Sequence, residues 1–254
     1  MHLAVVGKGG AGKSVIAGTL ARILARRGRR VLALDSDMLP GLTFSLGADA
    51  PPAPPLLDAA ERGEDGRWRL KRGVGPVRAV QRYATDAPDG IRLLQAGKVG
   101  PDGLAPIQPA LQAYFRVVHR LARSRAFAEW AIVGDLPGGP RQAAFGWAPY
   151  AEGFLLVVEP TSQSLLAARR VARVASQRRG SPVAVVANKI RREADIARIE
   201  AFLATRVTAI VPADGAVVAA ERSGAALLDH APGCPAVAAV AALADWVEAG
   251  TLRP

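Results

Sequence analysis

The stretch that most constrains this chain is its beginning. An apolar run, His2-Leu3-Ala4-Val5-Val6, stops at Gly7-Lys8-Gly9-Gly10-Ala11-Gly12-Lys13-Ser14. Gly7, Gly12, Lys13 and Ser14 fit the G-x-x-x-x-G-K-[ST] pattern of a loop that holds phosphate. Phosphate oxygens need backbone N–H groups aimed at them, and residues without a Cβ let the chain come that close. A helix opening at the same place turns its positive N-terminal end toward the anion. The sequence therefore predicts a strand, a phosphate loop and a helix in that order. Gly9, Gly10, Ala11, Gly12, Lys13, Ser14 and Val15 are the candidate nucleotide contacts. Lys13 carries charge for the β- and γ-phosphates, and Ser14 offers a hydroxyl to Mg²⁺.

The periodicity beyond the loop predicts alternating strands and helices. Ile16, Leu20, Ile23 and Leu24 share one face of a helix that should stop at Gly28, and Val31-Leu32-Ala33-Leu34 reads as a second buried strand. This β-α-β unit implies a parallel sheet with right-handed crossovers. Further strands are expected at 91–94, 131–133, 154–158, 183–187 and 207–211, and helices at 107–125, 162–179, 194–204 and near the C-terminus. Residues 47–66, broken by Pro51, Pro52, Pro54 and Pro55, read as loop. Residues 68–84 alternate apolar and basic side chains around a Gly-Val-Gly-Pro turn and read as a hairpin. The resulting fold class is α/β, a three-layer doubly wound and mainly parallel sheet with helices on both faces, expected as one domain over residues 1–254.

Composition narrows the setting. The chain has 254 residues, a formal net charge of +11 and one cysteine, Cys234. No leader-like or membrane-spanning run is visible, and a lone cysteine forms no internal disulfide, so a cytoplasmic protein is expected. The positive charge favours anionic partners such as nucleotides, nucleic acid or an acidic protein. The three histidines, His2, His119 and His230, are scattered without metal-ligand spacing and are expected to be structural.

Four later motifs fall at predicted strand ends, where ligands bind in doubly wound sheets. Asp35 and Asp37 follow the second strand, and a carboxylate there can hold Mg²⁺ water or orient an attacking water. Asp135 ends an apolar strand and is followed by Leu136-Pro137-Gly138. An acid there can order Mg²⁺, and Gly138 can turn its N–H toward a γ-phosphate. Asn188-Lys189 ends another strand, and an amide offers adjacent donor and acceptor atoms suited to adenine. Pro212 and Asp214 lie in a last loop before Val217.

Taken together these motifs resemble the CobQ/CbiA/MinD/ParA nucleotide-binding group, most closely its CooC-like ATPases, over almost the whole length. Lys8-Gly9-Gly10-Ala11-Gly12-Lys13-Ser14 is similar to that group's deviant phosphate loop. The resemblance implies that Lys8 reaches the nucleotide of the opposite subunit in an ATP-dependent homodimer, that Asp37 polarises the attacking water, and that the loop of Pro212 and Asp214 wraps the base. It implies an ATPase, with ATP/ADP and Mg²⁺ as cofactors and Ser14, Asp37 and Asp135 around the metal. The chain departs from it in two places. Met38 stands where the group often has proline, with Pro40 two residues on. The CooC-type Cys-x-Cys pair has no counterpart: the matching stretch, Gly97 to Pro106, contains no cysteine, so no soft-metal site is expected.

Two other function classes remain open at this level. A ParA-like protein would hold nonspecific DNA through arginines such as Arg169, Arg170, Arg173, Arg178 and Arg179. A stand-alone ligase of the dethiobiotin-synthetase type would share the fold. A MinD-like membrane helix is not expected, because the last helix has few basic residues. The client protein cannot be named from the sequence.

Overall fold

Strands buried on both faces must be apolar on both faces, and the apolar runs of this chain form the sheet's centre. The computed structural model describes residues 1–38, 41–51, 54–98, 103, 105–139, 146–176 and 182–250. In chain order these form β1 (His2–Gly7), α1 (Lys13–Arg26), β2 (Val31–Asp35), α2 (Gly41–Leu46), β3 (Ala60–Arg62), β4 (Trp68–Leu70), α3 (Pro76–Tyr83), β5 (Thr85–Ala87) and β6 (Ile91–Gln95). There follow α4 (Gln108–Leu121), β7 (Ala131–Asp135), β8 (Gly153–Val158), α5 (Ser162–Ser176), β9 (Val183–Ile190), α6 (Glu193–Leu203), β10 (Val207–Pro212), α7 (Gly215–Ser223), α8 (Leu227–His230) and α9 (Pro235–Glu248).

The main sheet has eight strands in the order β10-β9-β8-β1-β7-β2-β6-β5. All its pairings are parallel except that of β5 with β6. One apolar cluster lies under α1, α2 and α9, with Ile16, Leu20, Leu24, Leu42, Val240 and Leu243 packed on alternate residues of the central strands. The opposite cluster gathers Tyr114, Val117, Leu165, Val171 and Ile199 from α4, α5 and α6. The predicted doubly wound, three-layer α/β fold is the observed one.

The main difference concerns residues 60–84. β4, in the expected hairpin, pairs antiparallel with β3, which lies in the stretch read as loop, with Ala60 opposite Leu70. The second half of the expected hairpin is the helix α3, with Pro76 in its first turn and Ala79 and Val80 buried. Proline's fixed φ suits a helix start, and the buried face of α3 is only Ala79 and Val80, with Val77 left exposed, too short to display a helical period. The prolines before residue 60 do not prevent a short edge pairing.

A buried cation ties α1 to its surroundings. Arg22, 3% exposed, donates from Nε to Asp89 at 2.6 Å and from Nη1 to Asp229. Arg26, one turn further along α1, also reaches Asp89 at 3.2 Å. The apolar face of α9 is taken up by the core (Val237, Val240, Leu243 and Val247 are buried). Among the described residues no helix is long and apolar enough to cross a membrane.

Candidate functional site

The phosphate loop lies between the end of β1 and the start of α1, at the centre of the sheet's carboxyl edge. Its glycines are there for steric reasons. Gly12 has φ +90°, and a Cβ on it would run into the Asn188 amide nitrogen. Gly7 has φ +151°, and a Cβ would meet the Val157 carbonyl. Both positions exclude other residues at once through backbone conformation and through contact. Gly138 closes the loop from the other side: a Cβ there would come within 2.6 Å of the Gly9 nitrogen. The Gly139 N–H donates to the Gly7 carbonyl at 3.1 Å. The turn after β7 is thus seated directly on the phosphate loop.

Three carboxylates converge under that loop. Because β2 lies beside β7 in register, Asp35 stands opposite Asp135. Both are 1% exposed. Ser14 donates its hydroxyl to Asp135 Oδ2 at 2.5 Å, and the Asp37 N–H donates to Asp35 Oδ1 at 3.1 Å. Among the described residues, Asp135 Oδ1 and Asp35 Oδ2 are buried with no hydrogen-bond partner. Burial pushes the Asp135 carboxyl up to about 6, against the opposing pull of the Ser14 hydroxyl and of Lys13. Asp35 is raised well above the carboxylate range, first by burial and then by the charge of Asp135. Lys13 is buried, with Nζ 3.4 Å from the Lys8 carbonyl. Lys8 is half-buried and forms no ion pair among the described residues.

Orphaned carboxylate oxygens next to a serine hydroxyl suit a hard cation. No group of three or more His, Cys, Asp or Glu among the described residues forms a cage that could hold a metal alone. That combination fits Mg²⁺, which commonly takes one or two protein ligands and completes its shell with water and substrate phosphates. Asp37 is half-buried at the end of β2, next to these groups.

The second half of the site braces the loop from outside. Asn188 Nδ2 donates to the Ala11 carbonyl at 2.7 Å, and Lys189 Nζ to the Gly10 carbonyl at 2.8 Å. Lys189 also pairs with Glu159 at the end of β8. Lys189 takes φ +60°, a costly conformation for a side-chain-bearing residue and one often found near functional sites. With these two carbonyls held outward, the loop's N–H groups other than that of Ala11, which donates to the Lys8 carbonyl at 3.2 Å, are left for a ligand. Beside this brace lies a cleft of about 320 Å³, lined by Gly12, Val15, Asn188, Pro212, Asp214, Val217 and others, mostly apolar. Its size and lining are those of a site for a flat ring.

Asp214 has a structural task within that cleft. Its Oδ1 accepts from the Ala216 N–H at 2.9 Å and caps α7, and its Oδ2 accepts from the Ala236 N–H at 3.0 Å. These backbone donors hold its carboxyl below the usual range. Of the residues picked out from sequence, Ser14, Lys13, Asp35, Asp37 and Asp135 gather at one end of the loop. Asn188, Lys189, Pro212 and Asp214 gather at the other. Pro40, Leu104, Arg178 and Arg179 lie outside the described residues, as does part of the stretch from Gly97 to Pro106. Sequence reasoning missed Thr43, Gln95, Gly41 and Glu159. The Thr43 backbone hydrogen-bonds Asp35, and its hydroxyl accepts from the Gln95 amide. A Cβ on Gly41 would sit 2.7 Å from the Ser14 hydroxyl. Only a polar residue closing an apolar strand, as Gln95 and Glu159 do, could have signalled them.

The pattern of the CobQ/CobB/MinD/ParA nucleotide binding domain matches residues 3–227. The chain belongs to that family. It is similar to the carbon monoxide dehydrogenase accessory protein CooC of Rhodospirillum rubrum, with 28% identity covering 97% of each chain. It is also similar to a nitrogenase iron protein of Methanospirillum hungatei, 26% identical over 98% of this chain and 88% of that one. In fold it matches a ParA family ATPase from Chlorobium tepidum, with a TM-score of 0.72 at 19% identity, covering 96% of this chain and 97% of that one. It likewise matches the Pyrococcus horikoshii MinD complexed with Mg-ADP, with a TM-score of 0.70 at 20% identity over 96% and 94% of the two chains. The chain is therefore a CooC-like member of the MinD/ParA P-loop ATPases.

Proposed function

We propose that this protein is a Mg²⁺-dependent ATPase that acts as a slow molecular switch, dimerising on ATP and releasing on hydrolysis to serve an accessory or positioning role for a client protein. The observation that carries the reading is the Ser14–Asp135 contact beneath the phosphate loop, with an unpartnered buried oxygen on each of Asp135 and Asp35. Such an arrangement is unfavourable in the empty protein and becomes favourable once a cation sits against it. Ser14 and Asp135 would hold Mg²⁺, directly or through water, and the ion would neutralise charge on the phosphates. Lys13 contacts the β- and γ-phosphates. Asp37 orients the attacking water. Lys8, with no intramolecular ion pair among the described residues, crosses to the nucleotide of a second subunit. Gly12, Val15, Pro212 and Val217 enclose the base. Asn188 has committed one N–H to the loop and keeps its carbonyl for adenine. The likeness to an ATP-binding protein of Methanocaldococcus jannaschii, 28% identical over 88% of this chain and 90% of that one, supports ATP as the nucleotide.

Hydrolysis and oligomeric state test this together. Lys8→Ala is expected to keep Mg·ATP binding while turnover falls by about two orders of magnitude or more, the scale of losing a transition-state charge. Light scattering should show wild type, and not this variant, becoming a dimer with a slowly hydrolysed ATP analogue. Normal turnover in Lys8→Ala would refute the switch mechanism.

A further inference from the structure

On the face of the sheet opposite α1, the outer surface of α4 carries a cleft that this ATPase reading does not use. It has a volume of about 730 Å³ and is lined by Pro76, Phe115, Arg116, His119, Arg120 and Arg123 with two small polar neighbours. No acidic residue lines it, and Arg116, Arg120 and Arg123 form no ion pair among the described residues. Arg120 uses one N–H on the Val74 carbonyl at 3.3 Å. Arg116 is the telling residue: its Nε is buried with no hydrogen-bond partner. An unsatisfied buried guanidinium N–H is costly by itself and is relieved by an oxyanion. Elsewhere on this molecule buried or half-buried arginines are matched by carboxylates, as Arg22 and Arg92 are.

The spacing suggests what kind of anion. Arg116 and Arg120 lie one turn apart on α4, roughly 6 Å along its axis, and Arg123 follows two residues beyond the helix end, its N–H donating to the Arg120 carbonyl at 3.2 Å. Glutamates at i and i+4 of a partner helix repeat the pitch of the first two, and one a turn further on extends toward the third. Phe115 and Pro76 give the cleft an apolar floor, which a bare polyanion would leave uncovered. A stacking platform for unpaired bases is missing. The Phe115 ring is packed against His119 at 4.2 Å and edged by Trp147 at 6.1 Å. Single-stranded nucleic acid binds through such free faces. Duplex DNA is read by elements that protrude into its grooves, and this surface is concave.

We infer that the α4 cleft is a docking site for an acidic amphipathic helix of a partner protein, its carboxylates on Arg116, Arg120 and Arg123 and an apolar side chain on Phe115. This rests on the switch reading only in supplying that switch with a surface for its client.

Fluorescence anisotropy with a defined probe tests it. The probe is a labelled 16-residue helical peptide with Glu at i, i+4 and i+7 and Leu on the flanking face. Comparison probes are the same peptide with Gln for Glu, and 16-nucleotide single- and double-stranded DNA. The Glu peptide should bind wild type at least ~tenfold tighter than the Gln peptide. Arg116→Gln should weaken it ~tenfold, and so should the exposed pair Arg120→Gln/Arg123→Gln, which decides the matter if Arg116→Gln melts early. Arg206→Gln, on another face, should change nothing. Equal binding by the cleft variants, or no binding of the Glu peptide, overturns the inference. DNA that binds tighter than the peptide through these same arginines overturns it in favour of nucleic acid. Lys13→Ala separates the two readings, since it should abolish nucleotide binding and leave peptide binding intact.

Discussion

Two buried clusters of charge, one at the N-terminus of α1 and one about two turns further along it, are treated in opposite ways. At the Arg22 cluster the cation is buried but answered by Asp89 and Asp229, with Arg26 alongside. Under the phosphate loop Asp35 and Asp135 are buried equally deeply and placed side by side, and each keeps an oxygen without a partner. A matched pair contributes to holding elements together. Unmatched like charges oppose folding until something positive arrives. The contrast separates a structural device from one that waits for a ligand, on residue types that are the same in both places.

Substitutions should break the two clusters differently. The largest effect is expected from Lys13→Ala, which removes the buried cation of the phosphate loop. Nucleotide affinity should fall ~hundredfold or more, about 3 kcal/mol, in a calorimetric titration, with the far-ultraviolet circular dichroism unchanged. If affinity drops less than tenfold, the lysine does not touch phosphate.

Next is the pH response of the acidic cluster. The folded protein holds Asp135 at about 6, above the ordinary value of an unfolded aspartate, so the native state binds the proton more tightly. Its penalty is therefore absent below about pH 4, grows as pH rises, and is complete above about pH 6. At the upper limit it is on the order of 3 kcal/mol. Asp135→Asn should raise the apparent melting temperature at pH 8 and give little change at pH 4. It should abolish the stabilisation by Mg·ADP at both. A melting-temperature gain independent of pH would show that the carboxylate is not the strained group. Mg·ADP binding near pH 6 should release protons, seen as a dependence of the calorimetric heat on buffer ionisation enthalpy.

A smaller loss is expected on the matched side. Arg22→Leu should cost roughly 2 kcal/mol in a urea titration, below the loss for a fully enclosed pair because Asp89 and Asp229 reach solvent. Nucleotide affinity should stay within about twofold. The smallest effect is that of Asn188→Ala, which frees the Ala11 carbonyl. Nucleotide affinity should weaken by about 1 kcal/mol, roughly fivefold, with stability nearly unchanged. Loss of folding in Asn188→Ala would make it a core residue and not a brace.

The elements legible in sequence were those that carry their own signature. β1, α1, β2, β7, β8 and β9 follow directly from apolar runs and glycine stops. Asp35, Asp37, Asp135 and Asn188 fall at strand ends as expected. β3 and α3 were missed because three-residue edge strands carry no periodic signal, and because the buried face of α3, Ala79 and Val80, is too short to show a helical period. Asp214 illustrates a subtler limit. Its place in the base loop was visible, but the sequence gives no sign that both oxygens accept from backbone N–H groups 2 and 22 residues away.

The sequence by itself determined the chemistry of the phosphate loop, because each demand there is local: φ values that only glycine takes easily, N–H groups at a helix start, and one lysine and one serine at fixed offsets. What only the tertiary structure decided is the neighbourhood. Asp35 and Asp135 are 100 positions apart in the chain and become a strained pair only because β7 is placed between β1 and β2. Strand order arises from packing two helical layers on a single sheet. No stretch of sequence shorter than the whole fold records it.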